Sequence, residues 1–243
     1  MKTVWRGALW LGVARIAVRM VTATEDHRVH FHLVHRDDGG RVRHHQVCEV
    51  CGERLSAPDI GRGYPLDDGR MVVMEDADFA GLPPAADHAI EVRQFVPDDE
   101  VDPILLRRSY YLEPDGAAVR PYIVLRETLA RSGKVAVANI VLRSRSTLAV
   151  VRARGDLLVL QTMLWPDEVR PPEFPFVARD VELRTADLAS AAALVESMTR
   201  PFEPAEHTDD YRDALLRTIE ARTADLPIPT QSTRSPDLVP DPK

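Results

Sequence analysis

The chain has 243 residues, 44% of them hydrophobic and 28% charged, and carries a net charge of −7 at neutral pH. That composition describes an ordinary globular protein with a sizeable core and sets aside collagen-like and wholly disordered classes. Two cysteines close together, Cys48 and Cys51, argue against a disulfide framework and set the expectation of a reducing, cytoplasmic compartment.

The N-terminal stretch "MKTVWRGALWLGVARIAVRM" is broken by Arg6, Arg15 and Arg19, and no small-residue cleavage site follows, so neither a signal peptide nor an anchor is expected. Polar and apolar residues alternate in "RIAVRMV" (15–21), which predicts a strand. The run "RVHFHLVH" reads as another strand, with His30 and His32 on one face and Phe31 and Leu33 on the other. "GRMVVM" and "AIEVRQFV" follow, and then a helix is predicted over 120–132, with Pro121 in its first turn and Leu125 and Leu129 on one face. "KVAVANIVLR", "TLAVVRA" and "LLVLQTML" are further β-branched runs, and Gly155-Asp156 between the last two is a hairpin signal. From residue 186 the period becomes helical. Leu188, Ala191, Val195 and Met198 form one stripe, and a second helix starts at Thr208 as N-cap with Tyr211, Leu215 and Ile219 repeating behind it. The reading is a β core over 1–185, a helical arm over 186–224 and a disordered Pro-rich tail over 225–243, with no internal repeat.

Charge is segregated along the chain. Residues 1–63 carry 10 Lys and Arg against 7 Asp and Glu, with six of the eight histidines, and residues 64–102 carry 2 against 11. Residues 103–154 carry 10 against 3, and residues 155–243 carry 9 against 17. Such blocks can build a positive face on an acidic protein, or can be intermixed by folding.

Cys48-x-x-Cys51 is half of a zinc ribbon, and His44 and His45 are the nearest further ligands in sequence. A structural zinc site needs four ligands, so either a second subunit contributes or the "CG" pair simply opens a turn. A nucleophile elbow and a Gly-rich phosphate loop are both missing, so no enzyme is expected. The basic residues form the sharper pattern. Arg36, Arg41, Arg43, Arg54 and Arg62 cluster around the histidines, Arg107 and Arg108 precede "SYYLEPD", and Arg143 and Arg145 alternate in "NIVLRSRS". Guanidinium groups suit phosphate oxygens, which give affinity without reading sequence. The bland alternative is a solvated surface in a chain that uses 28 arginines and three lysines.

Taken together, "WRGALWLGVARIAVRMVTATEDHRVHFHLVH", "GGRVRHHQVCEVCG", "FVPDDEVDPILLRRSYYLEPD", "LVLQTMLWPDEVR" and "HTDDYRDALL" resemble bacterial Ku, in the same order and over about residues 3–222. The resemblance implies a mainly β fold with α elements: a Ku-type β-barrel core, a helical C-terminal arm and a ring-shaped homodimer. It implies a ring that threads onto linear double-stranded DNA ends without sequence preference and recruits the ATP-dependent DNA ligase D of non-homologous end joining. It implies no catalytic residues and no cofactor, with zinc at Cys48 and Cys51 left open, and a cytoplasmic, nucleoid-associated location. The stretch around His30 to Arg62 would belong to the DNA-encircling bridge, at about residues 22–70, with its arginines facing phosphate. Many bacterial Ku chains end in a lysine-rich extension, whereas this tail carries Arg234 and Lys243 against Asp225, Asp237 and Asp241, so no DNA contact is expected from it. The competing readings are a Ku-like paralogue that docks proteins and binds DNA weakly, and a metal-dependent enzyme built on the His/Cys cluster.

Overall fold

The computed structural model describes residues 2–80, 82, 88–142 and 145–224, so Arg143 and the Pro-rich tail lie outside the described residues. The chain divides into two units, Met1–Asp26 with Arg43–Glu173, and His27–Val42 with Phe174–Lys243.

The first unit contains β1 (Thr3–Leu11), β2 (Ala14–Thr22), β3 (Arg62–Pro65), β4 (Met71–Met74) and the short helix α1 (Asp76–Ala80). These are followed by β5 (Ala89–Pro97), β6 (Leu106–Pro114), helix α2 (Val119–Ser132), β7 (Lys134–Leu142), β8 (Arg145–Arg154) and β9 (Leu157–Met163). Seven strands close into a barrel in the order β1-β2-β6-β9-β8-β7-β5, and β3 and β4 pair as a separate hairpin. All neighbours in the barrel are antiparallel except β1 and β5, whose parallel seam matches Ala8 with Ala89, Leu9 with Ile90 and Trp10 with Glu91.

All seven barrel strands contribute to one buried cluster, including Leu9, Ile16, Met20, Ile90, Leu112, Ile140 and Leu160. The side-chain period of two makes this possible, because every second residue of each strand points to the barrel interior. β8 departs from simple alternation. Ala149 and Val151 join the interior, while Val150 is buried in a second cluster with Val101, Val135 and Met163. A strand covered on both faces reads as a continuous apolar run, which is why residues 148–151 of β8, "LAVV", are apolar without a break. The turn into β9 is the expected hairpin, with Arg154 opposite Leu157 and Gly155 at φ +55°.

Helix α2 sends Tyr122, Leu125 and Leu129 into the main cluster. The Tyr122 hydroxyl donates to the Leu112 carbonyl at 2.6 Å and accepts from the Leu158 amide at 2.7 Å, which ties the helix to a matched pair in β6 and β9. Burial pushes the Tyr122 phenol above its ordinary pKa, so it stays protonated and available as a donor. Gly133, in the left-handed region at φ +62°, ends the helix and turns the chain into β7.

The sequence pattern did not reveal β1, β3 or β6. β1 starts with mixed Trp, Arg and Gly, and β6 contains an irregularity between Leu106 and Ser109 that places Arg107 and Arg108 side by side on its exposed surface. The expected strand "RVHFHLVH" does not form. Among the described residues it pairs through a single bridge, Val34 with Arg41, and Phe31 and Leu33 are both exposed, as are His32 and Val34.

The second unit holds that bridge together with α3 (Thr185–Met198) and α4 (Asp210–Thr223). α3 buries none of its residues, so the stripe of Leu188, Val195 and Met198 is exposed on this chain. α4 is capped by Asp209 rather than Thr208. The Asp209 carboxylate accepts from the Arg212 amide at 3.0 Å, while the Thr208 hydroxyl donates to Asp210 instead.

Candidate nucleic-acid interface

The His- and Arg-rich stretch folds as two small hairpins of one design, thirteen residues apart. In the first, Val34 bridges Arg41, the His35 amide donates to the Gly40 carbonyl at 2.8 Å, and the Gly39 amide donates to the His35 carbonyl at 2.9 Å. In the second, Val47 bridges Arg54, the Cys48 amide donates to Glu53 at 2.9 Å, and the Gly52 amide donates to Cys48 at 2.9 Å. Gly39 and Gly52 sit at φ +73° and +71°, the left-handed conformation that closes each turn without a Cβ penalty. The sequence reading found no repeat here; the backbone shows one. Only His32 and His45, Val34 and Val47, Gly39 and Gly52, and Arg41 and Arg54 keep their identity between the copies, too few to stand out among so many histidines and arginines.

The paired positions also share a contact. Arg41 places Nη2 2.7 Å from the ring nitrogens of His32, and Arg54 places Nη2 2.9 Å from Nε2 of His45. At the turn of the first hairpin the Gly40 amide and the His35 ring hold the Asp38 carboxyl below its usual pKa, so it remains a carboxylate. In the second hairpin, at the position that corresponds to His35, the amides of Cys51 and Val50 and the Cys51 thiol lower the Cys48 thiol, which favours thiolate.

The metal-ligand set expected from sequence is not brought together. Among the described residues no group of three or more His, Cys, Asp or Glu side chains converges, His45 turns toward Arg54, and His44 is exposed. What stands is a two-cysteine knuckle, with both thiols free.

The arginines separate into two kinds. Arg36 and Arg43 are exposed and make no ion pair among the described residues, as do Arg107 and Arg108 on the irregular edge of β6. Arg145 is exposed at the start of β8, opposite Leu142 at the end of β7, and Arg143 lies outside the described residues. Arg62, by contrast, is already engaged. It pairs with Asp76 at 2.8 Å and lies 3.6 Å above the Phe79 ring, which fastens β3 to α1. Sequence spacing also passed over Arg19, held to Glu113 by two hydrogen bonds of 2.6 and 2.5 Å across β2 and β6. That pair lowers the Glu113 carboxyl, so its contribution is complete above the normal carboxylate pKa and is lost as pH falls through the depressed value.

Residues 11–190 match the family model Ku, described as the Ku70/Ku80 beta-barrel domain. The chain belongs to the Ku family. A relative from Saccharopolyspora erythraea named "Non-homologous end joining protein Ku 2" is 45% identical over the whole of this chain and 78% of its own length. One from Frankia casuarinae named "Non-homologous end joining protein Ku" is 46% identical over 92% of this chain, which spans 57% of that longer protein. A third, from Mycobacterium tuberculosis and of the same name, is 38% identical over 91% of this chain and 83% of its own. The seven-stranded barrel is therefore the Ku β-barrel, and the second hairpin lies within the sequence the family model covers, as do α2 and the first turns of α3 up to residue 190. No described helix is long and apolar enough to cross a membrane.

Proposed function

We propose that this Ku-family chain binds double-stranded DNA ends without sequence preference, as a ring-shaped homodimer, in non-homologous end joining. In this reading it recruits the ATP-dependent DNA ligase D and works at the nucleoid, within the cytoplasm. The observation that carries the reading is a relative 45% identical along the entire chain and named for non-homologous end joining. Arg36, Arg43, Arg107, Arg108 and Arg145, exposed and without an ion pair among the described residues, supply groups for phosphate contact, as do Arg41 and Arg54 beside their histidines. The exposed apolar stripe of α3 is a surface that a second copy could bury.

The physical task is capture rather than chemistry. A net charge of −7 per chain repels DNA at long range, so adhesion to the outer surface would be weak. An encircling dimer avoids that difficulty, because release requires the ring to slide back off an end. Local arginines then need supply only a salt-sensitive, sequence-independent term. The test is a salt titration with a linear duplex. Log affinity should fall linearly with log salt, with a slope of about −0.9 for each phosphate neutralised. A slope near zero would remove phosphate contact from the account and favour the protein-docking paralogue.

The reading assigns no catalytic step and needs no cofactor. The Cys48–Cys51 knuckle offers two of the four ligands that structural zinc requires, with its thiolate form favoured by local amides. Purified protein should therefore hold well under one zinc per chain by elemental analysis. A full equivalent per chain would show that further ligands close around the knuckle.

A further inference from the structure

The two hairpins repeat one side-chain contact as well as one backbone design. In each, a histidine precedes an arginine at the same interval, His32 before Arg41 and His45 before Arg54. Arg41 Nη2 lies 2.7 Å from the His32 ring nitrogens, and Arg54 Nη2 lies 2.9 Å from Nε2 of His45. The register behind the contact is copied too. The Val42 amide donates to the Leu33 carbonyl and the Leu55 amide to the Gln46 carbonyl, both at 2.9 Å. The first pair belongs to one unit and the second to the other, so the contact forms twice in separate surroundings. All four residues are exposed, and none belongs to the buried clusters of the barrel.

A guanidinium carries donors and no acceptor, so the ring nitrogen that faces it must offer a lone pair, and the contact requires a neutral imidazole. That neutrality sets these two arginines apart. Arg62 is held by Asp76, Arg70 by Asp68 and Arg19 by Glu113, each against a carboxylate that offsets its charge. A phosphate would have to displace such a partner. His32 and His45 instead restrain a long, flexible side chain and leave its positive charge whole. Among the described residues, Nε and Nη1 of Arg41 and Arg54 have no hydrogen-bond partner, which leaves them open to phosphate oxygens. Restraint before binding lowers the cost of ordering the side chain when a phosphate arrives. We propose that His32 and His45 are positioning residues for phosphate contact, each holding the guanidinium of its own hairpin in place without offsetting its charge. The proposal rests on the reading that this chain binds DNA ends and that Arg41 and Arg54 meet phosphate.

The test measures the affinity of the full-length protein for a linear duplex across a salt series. His32→Ala with His45→Ala should weaken binding by about tenfold at every salt concentration. The slope of log affinity against log salt should stay as in the parent, because the same phosphates are neutralised. His32→Gln with His45→Gln should recover most of the loss, since the amide oxygen accepts from the guanidinium as the ring nitrogen did. In protein already carrying Arg41→Ala and Arg54→Ala, the histidine-to-alanine changes should cost less than about twofold, because they act only through those arginines. A full-sized loss in that background would overturn the proposal by showing that the histidines meet DNA themselves. Unchanged affinity in the alanine variant, a loss that glutamine does not recover, or an altered salt slope would each overturn it as well. All of these outcomes leave DNA-end binding standing. If the parent protein binds no linear duplex, that reading fails, and the positioning assignment fails with it.

Discussion

Gly7→Ala is expected to destabilise the barrel by about 3 kcal/mol or more, the upper range for overpacking a close contact. A Cβ at residue 7 would stand 2.1 Å from the His88 carbonyl oxygen and 2.3 Å from the Trp5 ring. The oxygen cannot step aside cheaply, because it accepts from the Ala8 amide at 2.9 Å at the entry to β5. His88 is itself held at φ +62°, a conformation uncommon outside glycine, with its ring bonded to the Arg6 carbonyl at 2.8 Å. Local strain is thus concentrated where the one parallel pairing closes the barrel, and an added methyl group falls on it. Urea unfolding would show the loss as a lower midpoint with little change in slope. An unchanged midpoint would mean that the β1–β5 seam is looser than its geometry indicates.

Arg41→Glu with Arg43→Glu is expected to lower affinity for a linear duplex by about tenfold to a hundredfold near physiological salt, and to flatten the salt dependence. Each substitution replaces a phosphate-attracting group with a repelling one. Both residues are exposed and neither makes an ion pair among the described residues, so the fold should be untouched. Arg41 rests against the ring of His32, which is itself exposed. The same reversal at Arg62 should behave differently. It would break the pair with Asp76 and the stacking on Phe79, and so disturb β3 and α1 before it reported on DNA. Gel shifts across a salt series, with sizing to confirm the oligomeric state, separate these effects. Unchanged affinity in the Arg41/Arg43 variant would remove the first hairpin region from the DNA-facing surface.

Much of the barrel was legible in sequence. β2, β5, β7 and β9 show alternation or β-branched runs because one face of each meets the interior, and β8 shows a continuous run because both faces are covered. β6 was not legible, since its irregularity breaks the period where Arg107 and Arg108 fall. "RVHFHLVH" misled for the opposite reason. It has the alternation of a strand, but among the described residues no strand lies beside it, and a single bridge forms.

The site was legible in composition and illegible in geometry. Counting histidines and arginines located the region, but the doubled hairpin depends on backbone hydrogen bonds and on Gly39 and Gly52, which residue counts do not reveal. Of the residues named as metal candidates, His45 lies against Arg54, and among the described residues no three or more His, Cys, Asp or Glu side chains converge.

The central claim is topological, and one comparison tests it most directly: gel shifts of a linear duplex and a closed circle of the same sequence, at near-physiological salt. The account predicts a shift of the linear form alone, because a closed ring of protein can load only where the duplex ends. Equal binding to both forms would contradict it and would make the exposed arginines an ordinary adhesive surface.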